Sequence, residues 1–138
     1  MILHAYLSYA VADTDAASAL KQSAEIFSND LEFIDHTMIT PGSSITEAVV
    51  GLIERSDIVF FLVSDEFQAS KWCVEELKLA DSLGKYIVPL LISSGKLPGR
   101  FDHLNPILLD RTEEFPEMLR SHIATLQDQV IAVKATQS

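Results

Sequence analysis

The sequence is poor in cysteine, in long apolar runs and in basic residues, and each shortage excludes a class of protein. Its single cysteine, Cys73, excludes a secreted scaffold held together by disulfides. The longest unbroken apolar run, residues 58–63, is far shorter than the roughly 18 residues of a membrane-spanning helix. The chain opens without a basic flank or an apolar stretch of signal-peptide length, so we expect a cytoplasmic protein with no membrane partner.

The shortage of basic residues bears on the choice of partner. Ten Lys and Arg side chains stand against twenty Asp and Glu, which gives a formal net charge of −10. Such a field repels phosphates at long range, and this argues against nucleic acid and anionic membranes as partners. The four histidines, His4, His36, His103 and His122, lack the spacing of metal ligands, so we expect no metal site.

Apolar residues are plentiful enough for one domain. They make up 48% of the 138 residues, and a chain of this size buries roughly 68–70% of the surface that it exposes when unfolded. No repeat and no Pro/Gly-rich linker divides it. We therefore expect one domain over residues 1–138 with a frayed tail at 135–138, and any effector or activator on a separate polypeptide.

Apolar runs alternate with helical patterns along the whole chain. Strands are predicted at 2–8, 31–35, 58–63, 86–92 and 106–109. Helices are predicted from Asp13 and Thr14 onward, from the Ser44/Glu47 capping box, over residues 65–83 up to Gly84, and from Thr112. The run at 58–63 is apolar throughout, as in a strand covered on both faces. The pattern predicts a doubly wound α/β fold, with a five-stranded sheet and helices on both faces.

In such a sheet, ligands bind beyond the carboxyl ends of the strands, where the strand order reverses. The loops that follow Ser8, Asp35 and Ser64 are therefore the first places to look for a site. A side chain on a neighbouring helix can also reach this edge, and the third helix holds one that breaks its own pattern.

Glu76 is that side chain. At 100° per residue it falls inside an apolar arc, whereas Glu75 falls on the opposite face. The arc includes Trp72, Cys73, Leu77 and Ala80. A carboxylate buried without a partner costs several kcal/mol or has a raised pKa. We expect Glu76 either to meet a structural donor or to line a cleft as a catalytic or ligand-holding acid, and periodicity alone leaves both open.

The neighbours of Glu76 have plainer interpretations. Trp72 lies one turn earlier on the same face, where a tryptophan is more often a core residue than a platform for a cofactor. Cys73 has no histidine close to it in the sequence, so a buried thiol is expected rather than a nucleophile.

Five segments carry a more specific signal. They are Tyr6-Leu7-Ser8-Tyr9, Phe33-Ile34-Asp35 with Pro41-Gly42, residues 56–64, Ser70-Lys71-Trp72-Cys73-Val74-Glu75-Glu76-Leu77, and Gly84-Lys85 before residues 87–91. Together, in this order and spacing, they resemble the Toll/interleukin-1 receptor (TIR) domain family. The resemblance implies a flavodoxin-like fold with a five-stranded parallel sheet, in agreement with the alternation.

The resemblance also implies an activity. Many TIR domains, particularly in plants and bacteria, cleave NAD⁺ at the nicotinamide glycosidic bond, and their catalytic glutamate matches Glu76. The implied function is an NAD⁺ nucleosidase that gives ADP-ribose or a cyclic isomer, in bacterial antiphage defence or cell-death signalling. NAD⁺ is then a substrate, and no cofactor is expected. The implied substrate-binding residues are Ser8, Tyr9, Ala10, Asp35, Ser44, Lys71 and Trp72.

The alternative function is a non-catalytic TIR adaptor. The family includes adaptors that assemble with other TIR domains through the BB loop, here residues 35–43, so self-association is implied for both functions. The implied assembly residues are His36, Thr40, Pro41, Gly42 and Ser43. A phosphoacceptor receiver domain is less favoured, because Tyr9-Ala10, Ser64 and Asp110-Arg111 do not supply its acidic pair, aspartate and lysine.

One departure from the family pattern concerns phosphate binding. Some relatives carry basic residues after the first segment, where this chain has Ala10-Val11. Phosphate contacts would then come from backbone donors or from another protomer. Lys71 is the nearest basic candidate on the chain.

Overall fold

The computed structural model describes residues 1–34, 45–92, 97 and 99–137. Its centre is a sheet of five strands in the order β2-β1-β3-β4-β5. The strands are β1 Leu3–Ser8, β2 Leu31–Ile34, β3 Ile58–Val63, β4 Tyr86–Leu91 and β5 Ile107–Leu108. All neighbouring strands pair in parallel. This order is that of a flavodoxin-like α/β fold and confirms the predicted class.

Five α-helices cover the two faces of the sheet within the described residues. They are α1 Thr14–Ser23, α2 Ile45–Arg55, α3 Asp65–Ala69, α4 Lys71–Ser82 and α5 Phe115–Gln137. Short 3₁₀ turns lie at Val11–Asp13, Ala24–Phe27, Gly99–Phe101 and Thr112–Glu114. None of the described helices is both long and apolar enough to cross a membrane.

The hydrophobic core has two halves, one on each face of the sheet. The first packs side chains of α1 and α5 against the sheet, and the second packs those of α2, α3 and α4. β3 is buried at every position and alternates between the halves, with Phe60 in the first and Phe61 in the second. This burial explains why its sequence is wholly apolar.

The prediction of one helix over residues 65–83 is wrong, because two helices occupy that stretch. Ser70 separates them with an extended backbone, φ −89° and ψ 105°. Its hydroxyl oxygen accepts a hydrogen bond from the Cys73 backbone N–H at 3.2 Å. A serine in this conformation is an N-cap, so α4 begins at Lys71 as a new helix.

The predicted end of that stretch at Gly84 is confirmed. Gly84 has a φ of 69°, a left-handed conformation that glycine adopts without a Cβ clash. The N–H groups of Gly84 and Lys85 donate to the carbonyls of Asp81 and Ala80, at 3.1 and 3.0 Å. These two bonds form a Schellman motif, which closes the helix and turns the chain into β4.

Residues 135–137, part of the tail predicted at 135–138, are helical. Two contacts hold this end of α5 in place. The Gln137 side-chain amide donates to the Gly84 carbonyl at 2.7 Å, and Lys134 Nζ lies 2.5 Å from Asp57 Oδ1. Tail composition does not reveal such contacts, because both partners lie on distant turns.

Candidate active site

Glu76 and Glu75 face opposite environments, as their positions on the helix predicted. Glu76 is 4% exposed, whereas the Glu75 side chain is 62% exposed and pairs with Lys78. The difference arises because α4 turns one face, with Cys73 and Leu77, into the core, and Glu76 lies on that face.

Two hydroxyls from β1 hold the Glu76 carboxyl. The Tyr6 hydroxyl donates to Oε2, and the Ser8 hydroxyl donates to Oε1 at 3.1 Å. Tyr6 and Ser8 are two residues apart on a strand, so their side chains point to the same face. Both lie at the carboxyl end of β1, beside β3, where the strand order reverses. Glu76 thus lies where ligands bind in folds of this kind.

Burial dominates the acid-base properties of this group. It raises the pKa of Glu76 from 4.5 to about 7, while hydrogen bonds from Tyr6, Ser8 and Trp72 act in the opposite direction. Burial, followed by the charge of Glu76, also raises the pKa of Tyr6 far above its ordinary value. Tyr6 therefore stays protonated as a donor, and near pH 7 both the ionised and the protonated form of Glu76 are populated.

A cavity of about 250 Å³ lies beside Glu76, between α2 and α4. Its lining consists of Val49, Val50, Trp72, Glu75, Glu76 and Leu79. Trp72 is 42% exposed, so the prediction that it belongs to the core is wrong. Since α4 starts at Lys71, Trp72 stands in its first turn, near the carboxyl edge of the sheet rather than over the middle of it.

A larger cavity of about 530 Å³ lies between β5 and α5. Its acidic side chains already have partners: Glu114 accepts from the Arg111 backbone N–H at 2.8 Å, and Glu117 lies 2.6 Å from Arg120. The Glu117 side chain is also 71% exposed. The smaller cavity has the buried carboxyl, and it is therefore the better candidate for chemistry.

The other predicted substrate-binding residues are not all near Glu76. Tyr9 packs on the α1 face of the sheet, where Lys21 Nζ lies 5.6 Å from its ring centroid. Ala10 is buried on the Glu76 face. Lys71 is exposed and does not line the cavity. Seven predicted residues lie outside the described part of the chain: Asp35, His36, Thr40, Pro41, Gly42, Ser43 and Ser44.

Asp13 makes a contact that the sequence did not indicate. It was predicted as a cap for α1, but its side chain makes no cap hydrogen bond. Instead its Oδ2 accepts from the Ser64 hydroxyl at 2.5 Å, and Ser64 is 4% exposed. This bond joins the turn after β1 to the end of β3, at the edge where Glu76 lies. The position of Ser64 directly after an apolar strand was the available signal.

Cys73 is fully buried, which confirms the expected structural thiol. Burial raises its pKa, against hydrogen bonds with Ser70 and Ser8, so the unreactive thiol form dominates. Among the described residues, no three His, Cys, Asp or Glu side chains are grouped to hold a metal ion.

A model of a known family matches most of the chain. Its description is TIR domain, and it covers residues 6–123. The chain belongs to the TIR domain family. The match runs past the fourth strand into α5, beyond the five segments of the sequence analysis.

Solved structures with this TIR fold come from distant organisms. One is the TIR domain of the Toll-related receptor TRR-2 from Hydra magnipapillata, with a TM-score of 0.74, 19% identity and coverage of 89% of this chain and 97% of that one. Another is the CMP N-glycosidase BcmB from Clostridium botulinum, with a TM-score of 0.64 and 18% identity. The match covers 86% of this chain and 98% of that one. At these identities the likeness concerns the fold.

Curated relatives with similar TIR sequences are much longer proteins. Toll-like receptor 6 of Dasypus novemcinctus is 28% identical over 129 residues, which cover 86% of this chain and 16% of the receptor. Toll-like receptor 6 of Mus musculus is 29% identical over 119 residues, which cover 79% of this chain and 15% of the receptor. This TIR domain thus spans 15–16% of the length of these relatives.

Proposed function

We propose that this TIR domain is an NAD⁺ nucleosidase, an enzyme that breaks the bond between nicotinamide and ribose. The observation that carries the proposal is the Glu76 carboxyl, 4% exposed, held by two hydroxyls at the carboxyl edge of the sheet. Such a group is costly to bury, and a perturbed carboxyl in a cleft is a marker of function. Glu76 also matches the family's catalytic glutamate.

The chemistry needs one carboxylate. Nicotinamide leaves NAD⁺ as a neutral molecule, because the C–N bonding electrons quench the positive charge of its ring, and positive charge develops on the ribose. The ionised Glu76 carboxylate stabilises that charge. Water then attacks the ribosyl carbon and loses a proton, giving ADP-ribose; attack by an adenine nitrogen or a ribose hydroxyl gives a cyclic isomer. Neither route requires a cofactor.

The cavity supports a base-sized subsite. Its volume of about 250 Å³ lies below the roughly 300–1,000 Å³ of pockets that enclose a whole ligand. The nicotinamide end of NAD⁺ fits this scale, and the two phosphates stay outside. That arrangement suits a chain of net charge −10, whose field disfavours buried phosphates.

One structural neighbour supports the reaction class. BcmB is named as an N-glycosidase acting on CMP, so a protein of this fold cleaves an N-glycosidic bond. For this chain we propose cleavage of the same type of bond, but in a different nucleotide.

The proposed setting is a cytoplasmic, self-associating protein of a bacterial defence or cell-death pathway, with assembly through residues 35–43 and a separate effector or activator. The net charge of −10 predicts weak binding of a ligand with two phosphates by a single chain. This expectation supports an assembly requirement, because a second protomer can complete the site.

The matched pair Glu76→Gln and Glu75→Gln tests the proposal. The two glutamates are adjacent and both line the cavity, but only Glu76 is buried. We expect Glu76→Gln to lose at least about 100-fold in nicotinamide release from NAD⁺, as when a main electrostatic stabiliser is removed, and Glu75→Gln to keep most of it. Chromatography of NAD⁺ after incubation with concentrated protein measures both. Equal activity of the two variants contradicts the assignment.

The alternative is a non-catalytic adaptor that acts by TIR–TIR assembly. The likeness of the sequence to Toll-like receptor 6 and the exposed apolar side chains of Val11 and Trp72 near the same edge favour it. A wild-type protein that self-associates but releases no nicotinamide at any concentration, with or without a crowding agent, decides for the adaptor.

A further inference from the structure

The Glu76 carboxyl has one hydroxyl donor on each oxygen, and the Tyr6 bond is the closer of the two. We propose that Tyr6 is a positioning residue that, together with Ser8, holds Glu76 in its ionised form toward the cavity and sets the lower pH limit of the activity. The inference rests on the proposed function, in which the ionised Glu76 stabilises the ribosyl cation.

The geometry fixes the orientation of the carboxyl. Tyr6 and Ser8 are each 1% exposed. Tyr6 is paired with both β2 and β3, and Ser8 is paired with β3. Glu76 comes from α4, on the other side of the contact. A carboxylate with both oxygens bonded to a rigid strand has little freedom to rotate, so its position relative to the cavity depends on these two hydroxyls.

The hydrogen bonds also act on ionisation. An ionised carboxylate only accepts hydrogen bonds, whereas a protonated one must donate its own proton. Two hydroxyl donors therefore favour the ionised form. Burial raises the pKa of Glu76 to about 7, and the bonds from Tyr6, Ser8 and Trp72 oppose that rise. Without the Tyr6 hydroxyl the opposition weakens and the pKa rises further.

The titratable groups around Glu76 do not offer another explanation for a pH limit near neutrality. Tyr6 and Cys73 both have pKa values raised by burial, so neither loses its proton there. The charge of Asp13 acts on Cys73, and Asp13 is bonded to Ser64. Glu75 also lines the cavity, but its side chain is 62% exposed and pairs with Lys78.

The helix on the other side of the cavity is apolar where it faces Glu76. α2 contributes Val49 and Val50 to the lining. Tyr9, the remaining group that acts on Tyr6, packs on the opposite face of the sheet. Within the described residues, Glu76 is thus the group of the cavity whose raised pKa lies near neutrality.

The test uses Tyr6→Phe, which deletes the hydroxyl and keeps the ring that packs in the core. Ser8→Ala removes the other hydroxyl, whose bond is 3.1 Å long. Tyr86→Phe is the matched control, since Tyr86 lies on β4 and packs on the face of the sheet opposite Glu76. The carboxyl is titrated directly through the ¹³C shift of its Cδ, assigned by the signal lost in Glu76→Gln.

We expect the midpoint of the Glu76 titration to rise by about one pH unit in Tyr6→Phe, by less in Ser8→Ala, and not at all in Tyr86→Phe. The rate of nicotinamide release should change with pH in proportion to the ionised fraction of Glu76. In Tyr6→Phe the loss is about tenfold greater at pH 6 than at pH 9, and the loss that remains at pH 9 measures the looser position of the carboxyl. A purely structural role lowers the rate equally at every pH.

The two readouts separate the two proposals. An unchanged midpoint in Tyr6→Phe, or a pH-independent loss of rate in an active protein, overturns the role of Tyr6. If the midpoint shifts as expected in the variants but the wild-type protein releases no nicotinamide, the effect of Tyr6 on Glu76 is supported and the proposed function is contradicted.

Discussion

The Tyr6 hydroxyl bonds directly to the Glu76 carboxyl across 70 positions of sequence. The bond joins the first strand of the sheet to α4. It exists because parallel strands bring the carboxyl end of β1 beside that of β3, and α4, which follows β3 and the short α3, carries Glu76 to the same edge. The candidate site is a consequence of that topology.

Glu76→Gln should make the protein more stable at high pH. Because the folded-state pKa of about 7 lies above the ordinary 4.5, the folded protein binds a proton that the unfolded chain releases between these values. The wild type therefore loses stability as pH rises from about 4.5 to 7, by a maximum of about 3 kcal/mol. In urea unfolding, the free energy of unfolding of Glu76→Gln should exceed that of the wild type mainly at pH 8, and by little at pH 4.5.

The control for this prediction is Glu75→Gln, whose side chain is 62% exposed. Its effect should be small and similar at both pH values. A Glu76→Gln effect that is the same at pH 4.5 and pH 8 contradicts the raised pKa.

Two Gly→Ala substitutions should have opposite effects. At Gly84, with φ 69°, a Cβ costs about 1–2 kcal/mol, and it meets the Gln137 amide nitrogen at 2.3 Å. At Gly51, inside α2, a Cβ has nothing within 4 Å, so alanine should stabilise by about 0.5–1 kcal/mol. Chemical denaturation of both variants measures the signs; destabilisation at both positions contradicts the contrast.

The ion pair of Asp57 and Lys134 should stabilise the docked end of α5 above acidic pH. Burial raises the pKa of Asp57, but bonds from His4 and Lys134 outweigh it, so the net pKa is lowered. The stabilisation is therefore present above the ordinary pKa of Asp57 and is lost as pH falls through the lowered value.

Lys134→Met tests this. We expect a loss of about 1 kcal/mol at pH 7 that shrinks toward pH 3. Lys78→Met is the control, because Lys78 pairs with Glu75 at 3.7 Å on the surface, and its effect should be within about 0.5 kcal/mol. Equal losses for the two variants at pH 7 indicate that the end of α5 is not held by Asp57.

The specific activity should rise with protein concentration. The isolated chain carries a net charge of −10, which disfavours binding of the two phosphates of NAD⁺, and assembly can supply further donors. NAD⁺ turnover per protomer, measured together with light scattering over a tenfold range of concentration, should increase several-fold as oligomers form. Strictly proportional activity from a monomer contradicts the assembly requirement.

Local pattern predicted the elements whose sequence repeats a simple period. β3 has the predicted bounds at 58–63, because a strand buried on both faces needs an apolar residue at each position. Glu76 was found on the buried face, since α4 keeps the helical period through that stretch. Gly84 ended the helix as expected, because few other residues adopt its φ.

The errors have a common cause. The break at Ser70 depends on one cap hydrogen bond, which competes with a helical pattern on both sides. The exposure of Trp72 follows from that break, since it lies in the first turn of the new helix. The contacts of the end of α5 with Gly84 and Asp57 were not predicted either, because these residues lie far from it in sequence.

The sequence by itself determined the α/β alternation, the central strand and the inward direction of one carboxyl, because these depend on periods of two and 3.6 residues. Only the tertiary structure decided what that carboxyl meets. Its donors, Tyr6 and Ser8, come from a strand 70 and 68 residues away. Its raised pKa is a property of burial, which exists only once β1, α2 and α4 have packed together.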